Sequence, residues 1–267
     1  MNQIEKITSR DNQRLINLRK VRDGKIRELI FVEGRRLVEE ALRSSIAINE
    51  CFIAEGFRDK GLLDAIEMRT TRVAQVSEKI FTGIADTQQP QGIILVAKRP
   101  AISVEKIENG LPAAALPIVL FLSEINNPSN LGAIMRTAEA AGVAGAILSK
   151  NSADVYSPKA LRAAMGSSFR LPVWENAAFE EVRVWAAKQN LILTATDIAA
   201  SESFTQIDWK KPRLLIFGSE ARGIADDDLQ KVSESIRIPM EASVESLNLA
   251  VSAGIILFEA RRSNGLA

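Results

Sequence analysis

Three short polar stretches hold the residues whose types and spacing could do chemistry. Each follows an apolar run, and they read SEINNPSN at residues 123–130, GSEARG at 218–223 and PMEASVESLN at 239–248. The middle stretch looks like a ligand-binding turn, but it lacks the G-x-G-x-x-G spacing of a dinucleotide fingerprint and the Gly-Lys-Ser/Thr ending of a P-loop. Neither pyrophosphate nor Mg-ATP binding is therefore indicated. Gly218 and Gly223 could simply permit a positive φ.

The composition limits the chemistry that remains. The 267 residues include no histidine and one cysteine, which excludes an internal disulfide, Ser-His-Asp and Cys-His catalysis, and most transition-metal sites. We therefore predict no bound metal. Cys51, in the apolar run IAINECFIA, is expected to fill a strand.

Two charged residues lie beside the first two stretches. Glu220 stands at the mouth of an apolar strand, where partial burial predicts a specific hydrogen-bond donor. Arg136 lies on a helix of Ala, Ile and Met, either as an ordinary surface residue or, with the nearby asparagines, as part of a ribose or phosphate site. Pro128 disfavours helix before it, so Ser129 or Asn130 is expected to cap this helix.

The third stretch leads into an apolar C-terminal helix. Ser246 and Asn248 stand at its beginning, followed by the small residues Ala250, Ala253 and Gly254. Either Ser246 simply caps a packed helix, or backbone groups of residues 238–247 line a ligand cavity.

The preceding elements must position these stretches. From residue 117, apolar strand-like runs alternate with helical segments, which predicts a mostly parallel sheet with helices on both faces. Such sheets bind ligands beyond the carboxyl ends of their strands. Residues 1–100 predict a smaller α/β domain, residues 101–116 a Pro-containing linker, and residues 117–267 the larger domain.

Positive charge is concentrated at the front of the chain. The net charge is +1, yet residues 1–36 carry ten Lys or Arg against five Asp or Glu. Residues 2–24 predict a basic helix with Leu15, Leu18 and Val21 on its apolar side. This segment is either a solvated face or a footprint for a phosphate backbone. The candidate contacts are Arg10, Arg14, Arg19, Lys20, Arg35 and Arg36.

No apolar run is long enough to span a bilayer, and the N-terminus has no signal-peptide core. We expect a soluble, cytoplasmic protein without membrane contact.

The three stretches occur in the order found in a known family. Residues 127–137 match N-P-x-N-x-G-A-x-x-R-T, residues 218–223 match G-x-E-x-x-G, and residues 238–248 run from I-P-M to S-L-N. Each motif alone is weak, but the ordered triple is specific. Residues 117–262 thereby resemble the SpoU (TrmH-like) branch of the SPOUT superfamily, S-adenosylmethionine-dependent RNA ribose 2'-O-methyltransferases. FVEGRRLVEEAL at 31–42 and TQQPQGIILV at 87–96 resemble the ribosomal-protein-like substrate-binding domain attached to many members.

The resemblance implies a fold and a cofactor. The C-terminal sheet would contain a deep trefoil knot, which the pattern rules do not predict because they treat knots as essentially absent. S-adenosylmethionine would bind largely through backbone groups. The implied cofactor-binding residues are Thr194, Ala195, Thr196, Gly218, Ile238, Met240 and Leu247.

The resemblance also implies catalytic residues. Arg136 would activate the ribose 2'-hydroxyl, and four further residues would position the ribose or the cofactor: Asn130, Glu220, Ser246 and Asn248. A guanidinium stays protonated at neutral pH and is a poor base. Arg136 therefore either loses a proton transiently in a site arranged for it, or stays cationic, anchors the adjacent phosphate and stabilises the developing alkoxide.

The implied partners are RNA and a second copy of the chain. Family members generally dimerise through the knotted region and final helix, so a homodimer is expected. An aromatic content of 5% favours recognition of RNA shape over extensive base stacking. Ribosomal RNA is favoured over transfer RNA because the additional domain is commoner in that group.

Two other classes of function remain open. One is a non-catalytic RNA-binding protein that keeps the SpoU fold, which the intact Arg136, Glu220 and Asn248 disfavour. The other is a metabolic enzyme acting on a small nucleotide, which the basic first segment disfavours.

Overall fold

The computed structural model of the chain describes residues 4–241 and 243–266. Three parts of the chain lie outside the described residues: residues 1–3 of the predicted smaller domain, residue 242 within the third polar stretch, and residue 267 of the predicted larger domain. The chain forms two units, one comprising residues up to Ala101 with Val155–Phe169, the other Ile102–Asp154 with the residues from Arg170 onward.

The elements before residue 101 follow one another in chain order. They are β1 (Glu5–Ile7), α1 (Gln13–Arg22), β2 (Leu29–Glu33), α2 (Arg35–Arg43), β3 (Ile48–Ala54), α3 (Lys60–Glu67), β4 (Val73–Val76), α4 (Glu78–Ile84) and β5 (Ile93–Lys98).

The later elements alternate more regularly between strands and helices. They are α5 (Val104–Gly110), β6 (Leu116–Leu122), α6 (Pro128–Ala141), β7 (Val143–Ser149), α7 (Pro158–Ala164), β8 (Val173–Ala177), α8 (Phe179–Lys188), β9 (Ile192–Thr196), β10 (Glu202–Ser203), β11 (Arg213–Phe217), α9 (Asp226–Leu229), β12 (Glu234–Arg237) and α10 (Leu249–Ser263). Short 3-10 turns occupy Leu111–Ala113 and Ser167–Phe169.

The first unit contains a mixed sheet in the order β1-β4-β3-β5-β2. β4 is parallel to both β1 and β3, whereas β5 is antiparallel to β3 and β2. The first unit is therefore an α/β arrangement of strands and helices. Cys51 fills β3 as expected, and burial raises the pKa of its thiol far above the ordinary range.

The basic N-terminal helix is shorter than predicted. Leu15, Leu18 and Val21 are its buried residues, as expected, but α1 begins only after Asn12, whose side chain accepts a hydrogen bond from Arg14 N at 2.9 Å. Within the predicted helix, Glu5–Ile7 instead form β1, in which Ile7 is buried and paired with β4. The pairing of β1 with β4 and the helix cap at Asn12 therefore outweigh the helical pattern predicted for residues 2–24.

The connection between β7 and β8 contributes α7 to the first unit. Ala160, Leu161 and Ala164 of α7 are buried, and this helix packs against β2, the last strand of that sheet. Arg162 pairs with Asp86 at 2.7 Å. The predicted boundary at residue 117 assigned this helix to the larger domain, whereas its apolar face packs with the smaller one.

The second unit contains a parallel sheet in the order β10-β12-β9-β11-β6-β7-β8. This confirms the predicted parallel sheet flanked by helices. The stretch predicted as a linker contains α5, whose Ile107 is buried in this unit's core beside Val119 and Ile147. Gly142 ends α6 in the left-handed conformation, φ 86°, as its place after the apolar pattern predicts.

Candidate active site

Loops at the carboxyl ends of β6, β9, β11 and β12 line one cavity of about 960 Å³. In this sheet β6 has β7 and β8 on one side and β11 and β9 on the other. Open parallel sheets bind ligands where the strand order reverses in this way. The three polar stretches of the sequence therefore meet at one edge of the second unit.

The GSEARG loop closes on itself by backbone hydrogen bonds. Ser219 N donates to Gly223 O, and Gly223 N donates to Ser219 O, each at 2.9 Å. A Cβ on Gly218 would lie 2.1 Å from Gly223 C, and Gly223 has a φ of +68°. Both glycines are thus required by the turn itself. The turn presents Glu220 to the cavity.

A hydrogen-bond chain joins the three loops. Asn248 Nδ2 donates to Asn130 Oδ1 at 3.2 Å, and Asn130 Nδ2 donates to Glu220 Oε1. These residues come from the beginning of α10, the first turn of α6 and the loop after β11. Glu220 therefore has a hydrogen-bond donor, as its position at a strand end predicts. That donor is Asn130, a residue 90 positions away.

The helix caps differ from the predicted ones. Asn127, rather than Ser129 or Asn130, caps α6 by accepting from Ser129 N at 2.9 Å, with Pro128 at the first helical position, where its missing N–H costs nothing. Asn248, rather than Ser246, caps α10 by accepting from the N–H groups of the next turn.

The expected cofactor residues separate into two groups. Five of them line the cavity: Thr196, Gly218, Ile238, Met240 and Leu247, together with the expected positioning residue Ser246. Thr194 and Ala195 do not line it; they are buried within β9. The Thr194 hydroxyl is engaged in the sheet, donating to Glu234 at 2.8 Å and accepting from Arg213 at 2.9 Å.

Arg136 lies apart from the other predicted catalytic residues. It is exposed, six residues beyond Asn130 on α6, and is not among the residues that line the cavity. At the rise of an α-helix this separation is roughly 9 Å along the axis. Its side chain makes no hydrogen bond or ion pair within the described part of the chain.

Known proteins resemble this chain in sequence and in fold. The profile of the SpoU rRNA Methylase family matches residues 117–258, and that of the RNA 2'-O ribose methyltransferase substrate-binding domain matches residues 31–102. A tRNA/rRNA methyltransferase of Synechocystis described as uncharacterized is 32% identical over 99% of this chain and 96% of its own length. The chain belongs to the SpoU rRNA methylase family.

A relative with an assigned function and a solved structure support the same family. The 23S rRNA (guanosine(2553)-2'-O)-methyltransferase RlmP of Bacillus subtilis is 30% identical over 97% of this chain and 100% of its own length. The structure of an AdoMet-bound rRNA methyltransferase from Sinorhizobium meliloti superimposes with a TM-score of 0.84, at 28% identity, covering 97% of this chain and 98% of that one. This SpoU protein is an RNA 2'-O-methyltransferase that uses S-adenosylmethionine.

The cavity fits S-adenosylmethionine in size and chemistry. Its volume lies within the range of small-molecule sites, and Ile238 and Leu247 offer apolar surface to an adenine ring. Three carboxylates and two guanidinium groups line it: Asp197, Glu220, Asp226, Arg222 and Arg237. Their net charge of −1 suits a cofactor with one net positive charge. Only Glu220 of these five was predicted from the sequence, although Asp197 directly follows β9 and Arg237 is the last residue of β12.

The predicted RNA contacts of the first unit differ in their availability. Arg10, Lys20 and Arg36 are exposed and form no side-chain ion pair among residues 4–241 and 243–266. Arg14 is half-buried, pairs with Glu5 at 2.5 Å and with Glu50, and lies over the Phe52 ring. Arg35 pairs with Asp59 at 2.6 Å, and Arg19 donates to the Arg10 carbonyl at 3.1 Å.

The described residues contain no group of three or more His, Cys, Asp or Glu arranged to hold a metal ion. Likewise, no described helix combines the length and apolar character needed to cross a bilayer.

Proposed function

We propose that this protein methylates a ribose 2'-hydroxyl in ribosomal RNA and that the cavity beneath the three loops is its active site. The hydrogen-bond chain from Asn248 through Asn130 to Glu220 carries this proposal, because it ties all three family motifs together at the cavity. A protein that only bound RNA would not need this arrangement.

The residues at the cavity have separate tasks. When bound, S-adenosylmethionine supplies an electrophilic methyl group on a sulfonium centre. Gly218, Ile238, Met240 and Leu247 hold the cofactor, with Thr196 at the end of β9 beside them. Asn130 and Asn248 fix the orientation of Glu220, and Ser246 lies on the same loop, so that the ribose is aligned before reaction.

Arg136 acts as a cation in this proposal. It is exposed and free of side-chain partners among the described residues, so it is available to a phosphate next to the target ribose. A guanidinium binds phosphate oxygens through two parallel hydrogen bonds and stabilises developing negative charge. The outer surface of α6 would thus position the RNA, while the cavity holds the cofactor.

The first unit supplies further contacts to RNA. Exposed Arg10, Lys20 and Arg36 suit salt-dependent binding of phosphates, with Arg19 beside Arg10. Arg14 and Arg35 are proposed to act from within their ion pairs. Ribosomal RNA is favoured over transfer RNA because the Bacillus subtilis relative, which aligns along its whole length, is named for 23S rRNA.

The protein is proposed to act as a homodimer. Val251, Ile255 and Phe258 of α10 have exposed fractions of 50%, 37% and 49%, and their spacing places them on one stripe. Such a stripe on a helix that already packs against α6 is suited to a second copy.

We also propose that the second unit is knotted. β12 lies outside β9 in the sheet, yet the segment after it returns to the cavity beside the loop of β11 and leads into α10. The first unit is proposed to be of the ribosomal-protein-like type, and the cytoplasm, where ribosomal RNA is found, is the proposed location. No metal takes part.

Mapping of 2'-O-methylated nucleotides tests the RNA target. Ribosomal and transfer RNA would be compared between cells with and without the gene, and purified protein with labelled cofactor would then be supplied to the unmethylated RNA. We expect one ribosomal position to lose its methyl group in the cells and to regain it in vitro. Loss confined to transfer RNA, or no loss at all, would contradict the proposal.

A further inference from the structure

Asp197 lies between the two loops that are proposed to hold the cofactor. It directly follows Thr196, the last residue of β9, the strand between β11 and β12. Its N–H donates to Ile236 O of β12 at 2.9 Å. On the other side, Thr196 Oγ1 donates to Ile216 O of β11 at 3.0 Å. The loops beginning at Gly218 and Ile238 therefore leave the sheet on either side of Asp197.

One oxygen of the Asp197 carboxylate is engaged and the other is available. Oδ1 accepts a hydrogen bond from Ala199 N at 2.9 Å, which fixes the side chain in a tight turn. Oδ2 has no hydrogen bond or ion pair to any residue that the structure describes. Asp197 is half-buried and lines the cavity. Because Asp197 lines the cavity and this oxygen has no donor among the described residues, it can accept hydrogen bonds from a ligand bound there.

The other carboxylates of the cavity are less suited to this task. Glu220 accepts from Asn130, and Asp226 is exposed at the beginning of a short helix. We propose that Asp197 accepts hydrogen bonds from the vicinal hydroxyls of the cofactor ribose and so fixes the position of the adenosine. The proposal rests on the assignment of S-adenosylmethionine to this cavity.

The ribose suits Asp197 better than the amino-acid end of the cofactor does. The ammonium group of that end is attached to the same carbon as a carboxylate. If Asp197 bound the ammonium group, the two carboxylates would repel each other at close range. The ribose is neutral and offers two adjacent O–H donors, and aspartate or glutamate at a strand end is a known partner for ribose hydroxyls. Arg222 and Arg237, which also line the cavity, are available for the cofactor carboxylate.

Calorimetric titration of Asp197→Asn tests the proposal. This variant keeps an oxygen for Ala199 N. It replaces the other carboxylate oxygen by an amide donor and removes the negative charge. The ligands are S-adenosylhomocysteine, 5'-methylthioadenosine, which lacks the amino-acid end, and its 2',3'-dideoxy form. Asp227→Asn, exposed and outside the cavity, is the matched control, and thermal unfolding checks that each variant is folded.

We expect Asp197→Asn to weaken S-adenosylhomocysteine and 5'-methylthioadenosine by a similar factor, about 10- to 100-fold, and to leave the dideoxy compound unchanged. Asp227→Asn should resemble wild type with every ligand. Unchanged affinity for both ribose-containing ligands would overturn the proposal, as would a loss for S-adenosylhomocysteine alone or an equal loss for the dideoxy compound. If wild-type protein bound no S-adenosylhomocysteine, the cofactor assignment itself would fail.

Discussion

Asn248 performs two tasks with different atoms of one amide. Its Oδ1 caps α10 by accepting from Ala250 N at 3.0 Å and Val251 N at 3.3 Å, while its Nδ2 donates to Asn130. The cap needs only an acceptor, whereas the hydrogen-bond chain to Glu220 needs a donor. The two tasks can therefore be separated by a substitution that keeps the acceptor.

Asn248→Asp should preserve the fold and impair the reaction. A carboxylate caps a helix as well as an amide does and favours a helix N-terminus, but it would face Asn130 Oδ1 without a donor. We expect unfolding free energy within about 1 kcal/mol of wild type and methyl transfer reduced by about 10-fold or more. Ser157→Asp, at the cap of α7, should change neither the unfolding midpoint nor the transfer rate. Wild-type transfer by Asn248→Asp would show that the chain is not used.

Arg136→Ala should slow transfer by about 100-fold or more while leaving cofactor affinity unchanged. The side chain lies outside the cavity lining, so its removal takes away a phosphate contact and stabilisation of developing charge, worth about 100-fold or more in rate. Single-turnover transfer and calorimetry with S-adenosylhomocysteine separate the two effects. Arg183→Ala, which removes another arginine of the second unit, should transfer normally. Normal transfer by Arg136→Ala would refute its assignment.

At the scale of elements, the sequence predicted strands and helices wherever one apolar period dominates. β7 and α2 can be predicted in this way, because VAGAILS is an unbroken apolar run and Arg35–Arg43 has one apolar side. β1 was missed because EKI is too short for a pattern and forms by pairing with β4. α5 was missed because nearby prolines and a glycine suggested a linker.

The sequence does not predict to which of the two units α7 belongs, because the apolar face of this helix does not specify which sheet it covers. We expect residues 1–101, expressed alone, to unfold at a lower temperature than the first unit of the intact protein and to bind a hydrophobic dye. The reason is that Ala160, Leu161 and Ala164 no longer cover β2. Addition of a linked segment 155–169 should restore stability. A fragment as stable as the intact unit would contradict the packing described here.

At the scale of the whole molecule, three loops, the first of which lies some ninety residues before the second, form one site because parallel strands end at one edge of a sheet. The sequence predicted this convergence, and nine of the twelve residues predicted for catalysis and cofactor binding line the cavity. It did not predict that Asn130 pairs with Glu220, that Thr194 is engaged within the sheet, or that Asp197 lies between the loops. These depend on strand order and register, for which local patterns carry no signal.

The proposed homodimer should depend on the α10 stripe. Phe258→Glu places a charge among apolar side chains that would be buried between copies, so we expect it to shift sedimentation equilibrium towards monomer by at least about 10-fold in the dissociation constant. Met68→Glu, which alters an exposed apolar residue of the first unit, should leave the dimer intact. A monomeric wild type at micromolar concentration, or an unaffected dimer in Phe258→Glu, would exclude this interface.

Hydrogen–deuterium exchange with and without S-adenosylhomocysteine tests the central claim most directly, because it locates the ligand along the chain. If the loops after β11 and β12 hold the cofactor, amide exchange in residues 218–224 and 238–248 will slow on addition of ligand, and exchange in the strands of the first unit will not change. Ligand-dependent slowing confined to the first unit, or saturable binding with no slowing in either loop, would contradict the account.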